Sequence, residues 1–345
     1  LELIENITLR EPIRLSQKQS AAGFAPCIVN VSGTNTLAGI IYGHTGGSYW
    51  TFRPDNGLMI VSGVFINTTT SGNRYLRLLG AAPGDWQTDF GNNPQGGTSL
   101  NHLLKEDVGT WTLSGNNTYN GVTYVGGGLL LVNGAILNSS SVQVTNGALG
   151  GTGLIQSPVT VGAEGALAPG VSIGTLTISN TLSLNGTTLM EVSAAGADKV
   201  AGLTSISLGG TLKILVSGPL NGTEVFKLFE AGSYSGDFTV YDLPPLDAPL
   251  AWDASSVPVN GTLRVTGGVE PPRIAAAGRT ADGNFQISGT GPAGAPYRIL
   301  STTNLALPLV NWIEVGSGTF TGGSFSFTDL NATNHPRRFY GVVTP

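Results

Sequence analysis

Four short runs decide the fold: Gly128-Leu-Leu-Leu-Val-Asn-Gly134, Val142-Gln-Val-Thr-Asn-Gly147, Val159-Thr-Val-Gly162 and Thr175-Leu-Thr-Ile-Ser179. Each is a brief β-branched or leucine run closed by glycine or asparagine, and this alternation is an all-β signal. Val125, Val142, Val159 and Leu176 are spaced 17 apart, and Val132, Leu149 and Ala166 share that step. A fixed step of this size predicts a β-solenoid in which equivalent side chains stack from turn to turn. Glycine and asparagine supply the positive-φ corners. A β-sandwich with evenly spaced strands is the competing arrangement.

The surroundings agree with an extended, turn-rich chain. Of 345 residues 51 are glycine, and only 11% are charged against a usual quarter. Helices need the residues that are scarce here and disfavour the one that is abundant. Glycine has no every-third repeat, which excludes collagen, and 40% apolar residues exclude general disorder. From Gly109 to Met190 the sole charge is Glu164. The net charge of −5 and the scattered 16 basic residues predict no nucleic-acid partner. Apolar runs such as Leu129–Val132 are far short of the ~20 residues of a membrane helix, so no membrane insertion is expected. Cys27 is the sole cysteine, which excludes an intrachain disulfide and predicts a buried thiol. The sequence starts at Leu1 rather than Met and reads as a processed product or a fragment.

Further motifs carry a family resemblance. Gly109-Thr-Trp-Thr-Leu-Ser-Gly-Asn-Asn-Thr-Tyr-Asn-Gly121 resembles the opening of the autotransporter-associated β-strand repeat. Gly126–Gly134, Leu149-Gly-Gly-Thr-Gly-Leu154, Leu167-Ala-Pro-Gly170 and Ile173-Gly-Thr-Leu-Thr177 follow in the order of that repeat. The resemblance implies a secreted right-handed parallel β-helix, of the kind found in autotransporter passengers and large bacterial surface proteins. The sequence carries no membrane β-barrel after the repeat, so the helix is implied more firmly than the autotransporter route.

Three segments are expected. Residues 1–108 form an irregular early part of the helix with loops such as Gly80–Thr98, residues 109–268 carry the repeat, and residues 269–345 form a small sandwich. In the first, Leu1, Leu3, Ile7, Leu9, Ile13 and Leu15 alternate with mostly polar residues, the pattern of one long half-buried strand. It caps the helix or is lent to a neighbouring copy. Strands around Lys213–Ser217 and Val225–Glu230 continue the second segment, and Gly267–Pro272 reads as a linker. The third, with strands expected at Asn284–Ser288, Pro296–Thr302, Trp312–Val315, Ser324–Thr328 and Arg338–Val343, resembles a C-terminal module of secreted bacterial proteins and predicts a fibronectin-III-like sandwich.

Catalysis on a polysaccharide needs paired carboxylates, or a base beside an acidic calcium site. The repeat offers Glu164 alone, and His44, His102 and His335 lie in no catalytic or metal motif. Asp85 and Asp89 flank Trp86, and Asp237, Asp242, Asp247 and Asp253 form an acidic run; both read first as solvated loops. Nine Asn-x-Ser/Thr sequons arise readily in so Asn-rich a chain. No catalytic residue, metal or cofactor is expected. The function expected is a secreted, self-assembling filament or surface-layer subunit whose partners are copies of itself. An adhesin or carbohydrate-binding protein, with extracellular polysaccharide met by Trp86, Tyr297, Trp312 and Tyr340, is the alternative, and a polysaccharide lyase the third. Those aromatics read first as core residues.

Overall fold

The computed structural model describes residues 1–16, 26–44, 47–268, 271–335 and 337–344. Val269 and Glu270 of the expected linker lie outside them. The chain divides into two compact units: Leu1–Leu220 with Glu224–Asp247 and Trp252–Arg264, and Asn221–Thr223 with Ala248–Ala251 and Val265–Pro345.

The first unit is a parallel β-helix with three faces. One sheet of eleven strands runs from Glu2–Leu3 to Tyr234–Gly236, and a second runs from Thr8–Leu9 to Val240–Asp242. The third face is split between a three-stranded sheet, Ile13–Leu15 to Phe65–Asn67, and a six-stranded one, Asn116–Asn117 to Phe229–Ala231. Neighbours in each sheet are successive turns of the coil, paired in parallel register. Side chains alternate: Leu130 and Val132 point inward and are fully buried, while Leu129 and Leu131 face out. The expectation of a β-solenoid holds.

The 17-residue step does not. It describes Val142 over Val159 alone. Val125 stacks on Val144, 19 residues on, and Leu130 on Leu149, again 19. Leu149 meets Leu167, a step of 18, while Val159 meets Leu182, a step of 23. Leu176 belongs to the third face and pairs with Val200. The hydrogen-bonded strands keep register while the corners between them absorb extra residues, and each added loop residue costs little closure entropy.

The first fifteen residues are not one strand. They form three short strands, Glu2–Leu3, Thr8–Leu9 and Ile13–Leu15, one on each face of the first turn. Glu5, at φ 63°, turns the first corner. Leu3 and Leu15 point into the core, whereas Leu1 and Ile7 are exposed. Apolar alternation therefore spans a whole turn, because the inward direction recurs on each face. Likewise Gly80–Thr98 is more than a loop: Gly84–Trp86 is a strand of the second sheet.

Early turns are wide and filled with aromatic rings. Phe52 and Phe65 pack on Trp86 at 5.3 and 5.6 Å between centroids, Trp50 lies 5.3 Å from Phe65, and Phe90 5.1 Å from Tyr119. Later turns bury aliphatic chains such as Val144, Leu149, Ile155 and Val161. Lys105 marks the change. Leu78 stacks on Lys105 27 residues later, and Lys105 on Val125 only 20 later. Its side chain is fully buried, and Nζ donates to the carbonyls of Glu106, Asp107 and Gly127 at 2.7, 3.0 and 2.9 Å. Burial lowers its pKa to about 8, against the raising effect of Asp107 and Glu106.

The far end of the helix is finished differently. Val225, Phe226 and Lys227 pair antiparallel with Arg264, Leu263 and Thr262, and the short helix Val257–Asn260 buries Val257 against the last strands. Pro258 suits the first turn of that helix and Gly261, at φ 73°, ends it.

The second unit is a sandwich of two antiparallel sheets. Arg273–Arg279, Phe285–Thr290 and Ser324–Asp329 form one; Ile313–Thr319, Pro296–Thr302 and Phe339–Val343 form the other. Ile287, Tyr297, Ile299, Phe320 and Phe325 are its core. The strand Arg273–Arg279 has no counterpart in the sequence reading; it is alanine-rich and exposed throughout, so no apolar alternation marks it.

A Cβ on Gly63 would lie 1.9 Å from the Gly39 carbonyl oxygen, whereas one on Gly278 meets nothing within 4 Å. Gly63→Ala is expected to cost about 1–3 kcal/mol in urea unfolding, and Gly278→Ala close to nothing. Lys105→Met removes the donor shared by three backbone carbonyls and is expected to cost on the order of 2–3 kcal/mol in the same measurement.

Candidate functional site

The outer face of the second sheet carries an apolar cleft of about 180 Å³. Leu129 and Leu131 stand on one turn, Ala148 and Gly150 on the next, then Ala166 and Ala168, then Leu189. The two middle turns lack bulk, so the leucines on either side become walls. Pro169 ends its strand, and Gly170, at φ 83°, turns the chain into the loop that lines the cleft with Val171 and Ser172. Gly151 and Gly170 exchange hydrogen bonds of 3.2 and 2.9 Å that hold the loop's root.

Asp198 fixes the loop's other end. The hairpin at Val192–Ala197 returns the chain beside Glu191, leaving Asp198 only 2% exposed. Its carboxylate accepts N–H bonds from Gly174 at 2.9 Å and Glu191 at 2.7 Å. Burial outweighs these two donors and pushes its pKa up to about 6, with Glu191 adding to the rise. Two carboxylates beside a cleft are the pattern of glycosidic chemistry. Here both oxygens of Asp198 are engaged by backbone amides, so it serves to pin the loop. Neither Glu191 nor Asp198 was singled out from the sequence; the return of charge just after the uncharged stretch was the available signal.

A second feature escaped the sequence reading. On the outer face of the first sheet Tyr49, Tyr75, His102 and Tyr124 form a ladder, with Tyr49–Tyr75 at 4.9 Å and Tyr75–His102 at 4.8 Å, both stacked, and His102–Tyr124 at 6.3 Å. The guanidinium of Arg77 lies 6.0 Å from the Tyr49 ring and is paired with Glu106. His102 Nδ1 accepts the Val122 N–H at 2.9 Å, and burial lowers its pKa. Tyr49, Tyr75 and His102 are one full turn apart and in register, while Tyr124 pairs with Leu104 and meets His102 diagonally.

The aromatics proposed for carbohydrate are dispersed. Trp86 is fully buried in the helix core, and Tyr297 is in the sandwich core, so neither offers a ring face to a sugar. Trp312 is half-buried, with Nε1 donating to Leu307 O at 3.0 Å. Tyr340 is half-buried and stacked on Phe285 at 5.3 Å, its hydroxyl donating to Asp329 at 2.7 Å. Asp85, on its strand, accepts from Ser114 and Gln87, and Asp89 from Thr118, so each ties one turn of the coil to the next. His44 contacts Arg14 and Thr68. The acidic run separates: Asp237 accepts from Tyr241, Asp242 pairs with Lys213, and Asp253 accepts from Ser255. Cys27 is 5% exposed, and burial pushes its thiol pKa up. Among the described residues no three His, Cys, Asp or Glu side chains are grouped to hold a metal.

The raised Asp198 pKa has a definite consequence. Its usual value is 3.8 and its folded value about 6, so the folded protein binds that proton more tightly. The associated stability is full below about pH 4 and is lost as pH rises through 6. Relative to Asp198→Asn, the wild-type protein is expected to lose on the order of 3 kcal/mol between pH 4 and pH 7 in urea titrations.

Comparison with known proteins gives two partial similarities. No protein-family profile matches the chain. A stretch of 121 residues, 32% of the chain, is 35% identical to part of an extracellular serine protease of Serratia marcescens. A stretch of 79 residues, 22% of the chain, is 42% identical to part of the adhesin BmaC autotransporter of Brucella suis biovar 1. The chain spans 11% and 2% of the lengths of these relatives. In these stretches and in its parallel all-β coil, the chain is similar to an autotransporter passenger.

Proposed function

We propose that this chain is part of a secreted, surface-displayed scaffold that acts by adhesion and not by catalysis. The observation that carries the reading is the uninterrupted stack of eleven turns, roughly 50 Å long at about 4.8 Å per turn. Such a coil holds loops at fixed spacing along its outside, as the Gly170–Gly174 loop is held by Asp198. The partial similarities to an extracellular protein and to an adhesin support display outside the cell. The structural engagement of Asp85, Asp89 and Asp198 supports a role without acid–base chemistry.

A filament of identical copies, joined by edge strands of the coil, is the second reading. Among the described residues, Glu2–Leu3, Thr8–Leu9 and Ile13–Leu15 each pair on one side only. The other end argues for limited growth, because the helix Val257–Asn260 packs over the last strands.

The test is treatment of intact producing cells with a broad-specificity protease such as proteinase K, whose cleavage does not depend on lysine or arginine. An epitope within residues 122–216 is expected to disappear without lysis, and in-frame removal of those residues is expected to lower cell attachment at least tenfold. An epitope protected until lysis overturns surface display, and unchanged attachment overturns adhesion. Long fibres of the purified chain under negative stain would favour the filament.

A further inference from the structure

The sandwich holds a pocket of about 210 Å³ lined by Arg279, Phe285, His335, Arg337, Arg338 and Tyr340. Three guanidiniums and an imidazole meet here in a chain with only 16 basic residues and a net charge of −5. The topology brings them together. Arg279 lies opposite Phe285 across one hairpin, and Phe285 opposite Asp329 on the adjoining strand.

These cations differ in how far they are neutralised. Asp329 is 4% exposed, and its Oδ2 accepts from Arg338 Nη1 at 2.6 Å and from the Tyr340 hydroxyl at 2.7 Å. Its Oδ1 accepts the Asn331 N–H at 2.9 Å. Asp329 thus balances Arg338 and orients Tyr340, with nothing left for the other two arginines. Arg279 is exposed and gives one N–H to Gly283 O at 3.0 Å; Arg337 is exposed and forms no ion pair among the described residues. Beside them Phe285 and Tyr340 stack with their planes 14° apart, forming an apolar wall.

We propose that this pocket binds one acidic residue of a polyuronate glycan, its carboxylate held by Arg279 and Arg337 and its ring resting on the Phe285–Tyr340 pair. A guanidinium fork matches a carboxylate bidentately. The wall suits the C–H face of a sugar ring, a contact that a bare phosphate does not need. At about 210 Å³ the pocket is below the ~300–1,000 Å³ of typical small-molecule sites, which fits a single residue of a chain that continues outside. The charge of the pocket stands by itself; the choice of a glycan rests on the reading of surface display.

Affinity electrophoresis of the full chain tests the proposal, with gels containing polygalacturonate, alginate, polyphosphate or neutral dextran. Retardation is expected in both polyuronates and in neither of the other two. The Arg279→Gln/Arg337→Gln variant, altered at exposed positions and expected to keep its thermal melt, should bind the polyuronates at least tenfold more weakly. Absence of retardation, retardation unchanged in the variant, or equal retardation by polyphosphate each overturns the proposal. The measurement needs no cell, so its failure is distinct from protection of the epitope on intact cells.

Discussion

The pairing of each turn with the turn before it is the constraint on which the rest of the helix depends. Parallel strands exchange evenly spaced hydrogen bonds along all three faces, so inward and outward directions are inherited from turn to turn. Once that register is set, Leu130 must stack on Leu149 and Leu149 on Leu167. The corners follow from the same constraint, since backbone approaches backbone too closely there for a side chain. Gly39 and Gly63 are stacked in this way. Polar inward groups are tolerated where they satisfy backbone or one another, as Asn67 and Asn101 do at 2.8 Å.

Register also explains how one coil accommodates two kinds of core. The aromatic turns need a larger cross-section than the aliphatic ones, and the transition leaves carbonyls that no strand neighbour can satisfy. Lys105 reaches three of them with a single ammonium group. A buried lysine is costly in isolation, and here it substitutes for backbone donors that the narrowing coil cannot provide.

How much of this was legible from residues varies with the length scale. The apolar run Leu129–Val132 between glycines and the alternation in Ser141–Val144 gave the strands. The closing glycines gave the corners. The turn length was misread because equal spacing of valines does not distinguish a stacked column from positions on different faces, as Leu176 shows. Features assembled across turns were hidden for the same reason: Tyr49, Tyr75 and His102 are unremarkable in sequence and adjacent only in register. Trp86 between two aspartates suggested an exposed loop, yet strand alternation turns the ring inward and leaves Asp85 outside. The sandwich pocket was equally invisible, since Arg279 and Arg337 are far apart along the chain.

The scarcity of charge in the coil reaches beyond its packing. Between Lys105 and Lys199 there is no lysine or arginine, so a trypsin-like enzyme finds no cleavage site there, folded or unfolded. Lys105 itself is enclosed. The middle of the helix would therefore outlast its flanks in any milieu rich in such enzymes, and only unfolding, which frees Lys105, would release the single peptide from Glu106 to Lys199.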